Sequence, residues 1–288
     1  MNRKQFIDEV INSNECPTEF KKIYEGFTRY QELALNTLKA FHKVCVANGI
    51  DYQLAYGSLL GAIRDGGQIP WDYDIDVFVP FDQKVKLINA LTKDLPDNYY
   101  FYCPENSPSC RHMIMRVSPR GYRSEALHVD VFYLIGTPNN ELERKKYISQ
   151  VRKVSKARFY KLVDIKDKAK GRPRHAAKLL LGKLRYGFLS VSEIDRRYKQ
   201  LCNRYTLKNS KVCVSADQFA DWYEFPCNVM TDIISYGTGD GEFMIPRNYD
   251  KVLKIEYGDY NNVPKLSGRL EELMRHYSLL ERYEKEKA

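Results

Sequence analysis

No apolar run in the chain approaches the roughly 18 uncharged residues that a membrane-spanning helix needs, so no such span is expected. The opening Met1-Asn2-Arg3-Lys4-Gln5-Phe6 lacks the apolar stretch of a secretion leader. Cys-x-x-Cys is absent, and seven cysteines is an odd number, which suits reduced thiols in the cytosol better than a disulfide framework. The spacing of Cys103, Cys110, Cys202, Cys213 and Cys227 supports no zinc site, and none of the five histidines has a metal spacing. Internal repeats and low-complexity segments are missing too. A secreted disulfide scaffold, an integral helical membrane protein and a solenoid are thereby set aside. A cytoplasmic protein is expected, one that could work at the inner face of the membrane.

What is present fits a globular enzyme. Hydrophobic residues make up 43% and charged residues 29% of 288 positions, enough for a sizeable core. The net charge of +9 is regional. Between Glu141 and Ser190 there are 16 Lys/Arg against 4 Asp/Glu, so the remainder of the chain is slightly acidic. A basic patch of this kind suits nucleic acid, an anionic membrane surface or a phosphorylated substrate.

Apolar spacing predicts a long amphipathic helix over 18–48, closed by Gly49 in the left-handed conformation. A short strand over 51–56 leads into a Gly57-Ser58 turn and then one or two helical turns over 59–64. A strand over 73–79 ends at Pro80, and a helix follows over 81–95. Strands are expected over 99–102, 112–117 and 126–134, long basic helices to about 205, then short strands, aromatic loops and a closing helix over 265–285. The composition changes near Gly136. The expected division is a catalytic core over 1–136, a basic helical insertion over 137–210 and a C-terminal part over 211–288 completing the core.

The chemistry concentrates in Tyr56-Gly57-Ser58-Leu59-Leu60-Gly61-Ala62-Ile63-Arg64 and Trp71-Asp72-Tyr73-Asp74-Ile75-Asp76-Val77. A Gly-Ser turn opening a short helix offers backbone N–H groups to a phosphate. A strand with Asp at every second position places Asp72, Asp74 and Asp76 on one face, at steps of roughly 7 Å. Three like charges on one face are costly unless a cation or water neutralises them. Asp130 lies within a later apolar strand and could meet them in a mixed sheet. The competing reading is an exposed acidic edge strand, with Asp130 bonded to a backbone amide.

The same segment resembles the signature of the LicD/fukutin family of phosphotransferases, within the nucleotidyltransferase fold superfamily. His128-Val129-Asp130-Val131-Phe132 resembles the family's later acidic strand. Gly241 to Asp250, continuing through Tyr257-Gly258-Asp259-Tyr260 to Pro264, resembles its C-terminal block. The resemblance covers residues of about 33 to 277, and implies an α/β (α+β) nucleotidyltransferase-like mixed sheet with flanking helices and a basic helical insertion. It implies transfer of a phosphoalcohol, phosphocholine foremost, from a CDP-linked donor to a hydroxyl of a glycan or lipid-linked glycan such as lipopolysaccharide, teichoic acid or capsule. CMP would leave. Carried over, Asp74, Asp76 and Asp130 are metal ligands for Mg²⁺ or Mn²⁺, with Asp130 a ligand or the general base. Gly57 and Ser58 hold the donor's phosphates, and Asp72 orients a ligand or a water. Many bacterial relatives have Asp where this chain has Tyr73, which is expected to face away from Asp74.

In that scheme Arg64 and Arg116 stabilise the equatorial phosphate oxygens, or else form ordinary structural pairs. The alternative activity is nucleotidyl transfer of NMP from an NTP to a sugar phosphate, an alcohol or a protein. A non-catalytic binding module with a vestigial acidic motif is a further rival, and nucleic acid is not the expected partner. The segment Arg174–Leu189 is apolar on one side and basic on the other, suiting an anionic bilayer or, as the sequence slightly favours, a core-packing helix with solvated lysines. Trp222, Tyr223, Phe225, Tyr236 and Tyr249 are candidates to stack on a base or sugar or to cage a quaternary ammonium, or are core residues. His128 shares a face with Asp130.

Overall fold

The computed structural model describes residues 1–169, 172–186, 188–217 and 223–285. Trp222 lies outside the described residues. Helix α1 (Arg3–Ile11) starts at a reciprocal cap between Asn2 and Gln5 and buries Phe6 and Val10. Helix α2 (Phe20–Ala47) is the predicted long helix; its buried stripe runs Tyr24, Phe27, Gln31, Ala34, Leu38, Phe41 and Cys45 at three- and four-residue steps. Gly49 follows it at φ +57°.

Strand β1 (Gln53–Leu54) is shorter than expected, and Tyr56 already opens helix α3 (Tyr56–Leu60). A π-helical turn over Gly61–Asp65 continues it. Strand β2 (Ile75–Pro80) begins two residues later than predicted, leaving Asp72 and Asp74 in the preceding loop. The reason is local: the Asp74 N–H donates to the Asp72 carboxylate at 3.1 Å and the Asp72 N–H to the Ile69 carbonyl at 3.1 Å. These turn bonds hold the backbone out of the ladder.

Helix α4 (Lys84–Asp94) follows a short 3₁₀ turn. Next come β3 (Tyr99–Tyr102), β4 (Met115–Pro119) and β5 (Val129–Gly136). The basic segment forms α5 (Glu141–Leu162), α6 (Ile165–Ala169), α7 (Pro173–Tyr186) and α8 (Val191–Cys202). Chain order then gives β6 (Val212–Ser215), β7 (Phe225–Pro226), α9 (Cys227–Met230), the hairpin β8 (Ile233–Thr238) and β9 (Gly241–Pro246), α10 (Tyr249–Tyr257) and α11 (Leu266–Lys285).

The main sheet is mixed, as the sequence implied. Its order is β1-β2-β5-β4-β3, with β2 and β5 parallel, β6 antiparallel to the C-terminal end of β5, and β7 beyond it. Ile75, Val77 and Val79 of β2 and Val129, Val131 and Tyr133 of β5 face the core, each at most 2% exposed. The strand after the basic helices thus returns to the central strand β5. From α5 and α8, Tyr147, Val151, Ile194 and Tyr198 join the same core as the sheet. Helix α7 instead packs with α5 and α6 in a small cluster around Val163, Ala169 and Leu179.

Candidate functional site

Register decides where the acids meet. In the parallel pair β2/β5, Asp76 lies opposite Asp130, and in the antiparallel pair β4/β5, Asp130 lies opposite Arg116. Register partners point to the same face of a sheet, so Arg116, Asp130 and Asp76 form a row across three strands. One step along the same face, Phe132 and Phe78 carry the ring of Tyr56 at centroid distances of 5.4 and 5.0 Å. Helix α3 therefore starts directly over this face.

Two bonds fasten it there. The Ala55 N–H donates to the Asp76 carbonyl at 3.0 Å, and the Asp76 N–H donates to the Ser58 hydroxyl at 2.9 Å. Gly57 and Ser58 lie within the first turn of α3, not in a loop ahead of it. The Ser58 N–H is engaged by the Ala55 carbonyl at 3.0 Å. What Ser58 has left to offer a phosphate is its own hydroxyl proton. At Gly57 a Cβ would stand 3.2 Å from an Asp72 carboxylate oxygen, so the glycine lets that carboxylate approach the helix.

Helix α2 holds the acidic loop from behind. Buried Gln31 donates to the Asp72 carbonyl at 2.6 Å and the Ile69 carbonyl at 3.0 Å, and the Tyr24 hydroxyl donates to the Pro70 carbonyl at 3.1 Å. From the other side the β8/β9 turn docks on 66–68: Gln68 N–H donates to the Asp240 carboxylate at 2.5 Å, and Gly239 N–H to the Gly66 carbonyl at 2.8 Å. A Cβ on Gly67 would lie 2.6 Å from Asp240 Oδ2.

The sequence grouped Asp74 with Asp76 and Asp130. In the fold Asp74 meets Asp72 and His276, whose donor atoms all lie within 4.8 Å of one another. His276, on α11, is buried; its Nδ1 stands 3.6 Å from Asp72 Oδ1 and makes no hydrogen bond. Tyr73 is buried, and its ring meets His276 edge-on at 5.0 Å and Phe27 edge-on at 6.4 Å. No spacing in the sequence links position 276 to position 72, because only the docking of α11 brings them together.

The carboxylates differ in proton affinity. Burial, and then the Asp74 charge, push Asp72 up to about 8. Burial, with Asp130, Asp74, Asp72 and Glu256 nearby, raises Asp76 well above the carboxylate range. Burial would raise Asp130 as well, but Arg116 at 2.8 Å and His128 at 3.3 Å outweigh it and hold the group well below its ordinary value. Glu256 of α10 went unnoticed in the sequence. It is buried, neither of its oxygens has a hydrogen-bond partner, and burial raises it to about 8.

Arg64 is tied to Asp65 at 2.7 Å, and its guanidinium lies 5.8 Å from the Trp71 ring centroid. It nevertheless lines an open cavity of about 480 Å³ whose wall includes Gly57, Trp71, Asp72, Tyr257 and Tyr260. A second cavity, which shares Gly57 and Asp72 with the first, is bordered by Ser58, Asp74, Thr238 and Asp240. Of the C-terminal aromatics, Phe225 packs in the core 6.0 Å from Phe78, whereas Tyr236 and Tyr249 are partly exposed and 6.2 Å apart.

Comparison with known proteins gives a consistent reading. A family model described as LicD/FKTN/FKRP, nucleotidyltransferase domain, matches residues 49–166, which contain every acid of the β2 and β5 row. A Haemophilus influenzae protein described as lipopolysaccharide cholinephosphotransferase LicD is 26% identical over 248 residues, covering 81% of this chain and 91% of the relative.

Proposed function

Residues 49–166 match the LicD/FKTN/FKRP nucleotidyltransferase-domain model, and on that likeness we propose that the chain moves a phosphoalcohol from a CDP-linked donor to a hydroxyl of a cell-surface glycan and releases CMP. Phosphocholine is the favoured cargo and lipopolysaccharide the favoured acceptor class, by analogy with the Haemophilus relative. The observation that carries the reading is the pairing of Asp76 with Asp130 beneath Ser58, next to the Asp72–Asp74–His276 group.

The residues present fit a divalent cation. Two carboxylates and an imidazole with an unpartnered buried nitrogen make a mixed oxygen and nitrogen donor set, which suits Mn²⁺ and tolerates Mg²⁺. Asp72, Asp74 and His276 would hold the ion, with Asp76 and Asp130 bordering it. When bound, such an ion neutralises charge on the donor's diphosphate and on the departing CMP.

The chain's own groups do the rest. Asp130, kept ionised by Arg116 and His128, has little affinity for a proton and acts as a fixed negative charge. Asp76, with the higher proton affinity, is the better acceptor for the proton of the attacking hydroxyl. The Ser58 hydroxyl, positioned by the Asp76 N–H, donates to a phosphate oxygen. Trp71, Tyr257 and Tyr260 line the cavity beside Asp72 and offer π-faces to a quaternary ammonium or a base.

Incubating the protein with CDP-choline or CTP and an acceptor glycan, with Mn²⁺ or with EDTA, tests this. Metal-dependent CMP release from CDP-choline is expected. Pyrophosphate release from CTP with no CMP from CDP-choline would favour nucleotidyl transfer instead. The division into a catalytic core over 1–136, a basic helical insertion over 137–210 and a completing part over 211–288 belongs to the same proposal, with α5 and α8 of the insertion packed into the core of the sheet.

A further inference from the structure

Helix α7 uses only one side for packing. Leu179 and Gly182 are its buried residues, and Tyr186 stacks on Tyr160 of α5 at 5.5 Å with the rings nearly parallel. A Cβ on Gly182 would collide with the Tyr160 ring at 2.1 Å, so the contact between the two helices is already as close as it can be. On the opposite side Leu180, Leu181 and Leu184 are 51%, 67% and 62% exposed, and Phe188, just beyond the helix, is 92% exposed. The inner face is satisfied, so the core-packing reading of this segment does not account for its outer leucines.

At 100° per residue, Leu180, Leu181 and Leu184 fall within one arc of about 100°, and Ala177 lies inside it. Arg174, Lys178 and Arg185, all exposed, border that arc on one side, and Lys183 borders it on the other. The bordering side chains are basic, within a segment of strong positive excess. An apolar strip edged by long cationic side chains matches the boundary between acyl chains and negatively charged headgroups. A protein partner of ordinary composition would leave those charges to be desolvated.

We propose that α7 and Phe188 form a docking surface for an anionic phospholipid bilayer, with the leucines and Phe188 seated at the acyl boundary and Arg174, Lys178 and Arg185 on lipid phosphates. This goes beyond the transferase reading and does not depend on it, because the surface lies outside the acidic site.

The test is flotation of the full-length protein with vesicles of phosphatidylglycerol and phosphatidylcholine, or of phosphatidylcholine alone, at low and high salt. Wild type should float with the anionic vesicles at low salt and at least about tenfold less with neutral ones or at high salt. Leu181→Glu/Leu184→Glu and Arg174→Glu/Lys178→Glu should each lose binding at least about tenfold. Their melting temperatures should stay at the wild-type value, because all four side chains are exposed. Leu184→Ala, which adds no charge, should give a smaller loss in the same direction. Absence of flotation by wild type at low salt overturns the proposal. So does undiminished binding by both double variants, or a wild-type dimer that Leu181→Glu/Leu184→Glu converts to monomer without any vesicle binding.

Discussion

The backbone N–H of Asp76 donates to the hydroxyl of Ser58 at 2.9 Å, and this bond joins the strand that carries the acids to the helix that would face a phosphate. Ser58→Ala leaves a part-buried N–H unsatisfied. Stability should fall by about 1–2 kcal/mol, and turnover should fall by more than the unfolding explains, because the hydroxyl proton is lost with it. Thermal melts alongside steady-state rates at a temperature far below the transition separate the two effects.

Asp76→Asn removes a charge that burial and four neighbouring acids disfavour. In metal-free buffer above neutral pH the variant should melt at or above the wild-type temperature, while metal-dependent turnover drops by roughly a thousandfold or more. Asp74→Asn should abolish turnover in the same way. Full activity in either variant would remove these residues from the site.

Cation binding should be strongly pH-dependent. Asp72, raised to about 8, must lose its proton to act as a ligand, and a cation is attracted more strongly when neighbouring Asp76, raised well above its usual range, is ionised too, so affinity should rise as pH climbs from 6 to 8.5. Isothermal titration with Mn²⁺ across that range checks it, together with proton release measured in buffers of different ionisation enthalpy. His276→Gln should weaken Mn²⁺ more than Mg²⁺, because only the softer ion gains from the imidazole nitrogen.

Glu256 provides a stability test at a group that is not among the proposed cation ligands. Its carboxyl titrates near 4.5 in the unfolded chain and near 8 when folded, so the folded state holds the extra proton between those values. Stability from this group is fully present below about pH 4.5 and is lost progressively as pH rises through 8. The total loss is roughly 3–5 kcal/mol. Glu256→Gln should flatten the fall in melting temperature between pH 6 and 8.5 in metal-free buffer; an unchanged slope would show the group ionises freely.

Much of the fold was legible because its signals are local. The apolar stripe of α2, the alternation of Ile75, Val77 and Val79, and the apolar setting of Asp130 each follow from a single element's periodicity. The start of β2 was misplaced for a local reason as well. Period-2 spacing cannot distinguish a strand from an extended turn in which Asp72 bonds the backbone of Asp74.

The linear chain alone therefore determined the acidic motif, the mixed sheet and the basic character of the segment after Gly136, whereas Gly57 and Ser58, expected in a turn, belong to helix α3. Tertiary structure decided which acids stand together. Parallel register set Asp76 against Asp130, and the packing of α11 brought His276 to Asp72 from 204 positions away. It also decided that the leucines of α7 face outward, because the ring of Tyr160 occupies the inner face. Neighbours brought together by packing leave no periodic trace in a sequence, since their separation along the chain is set by everything folded between them.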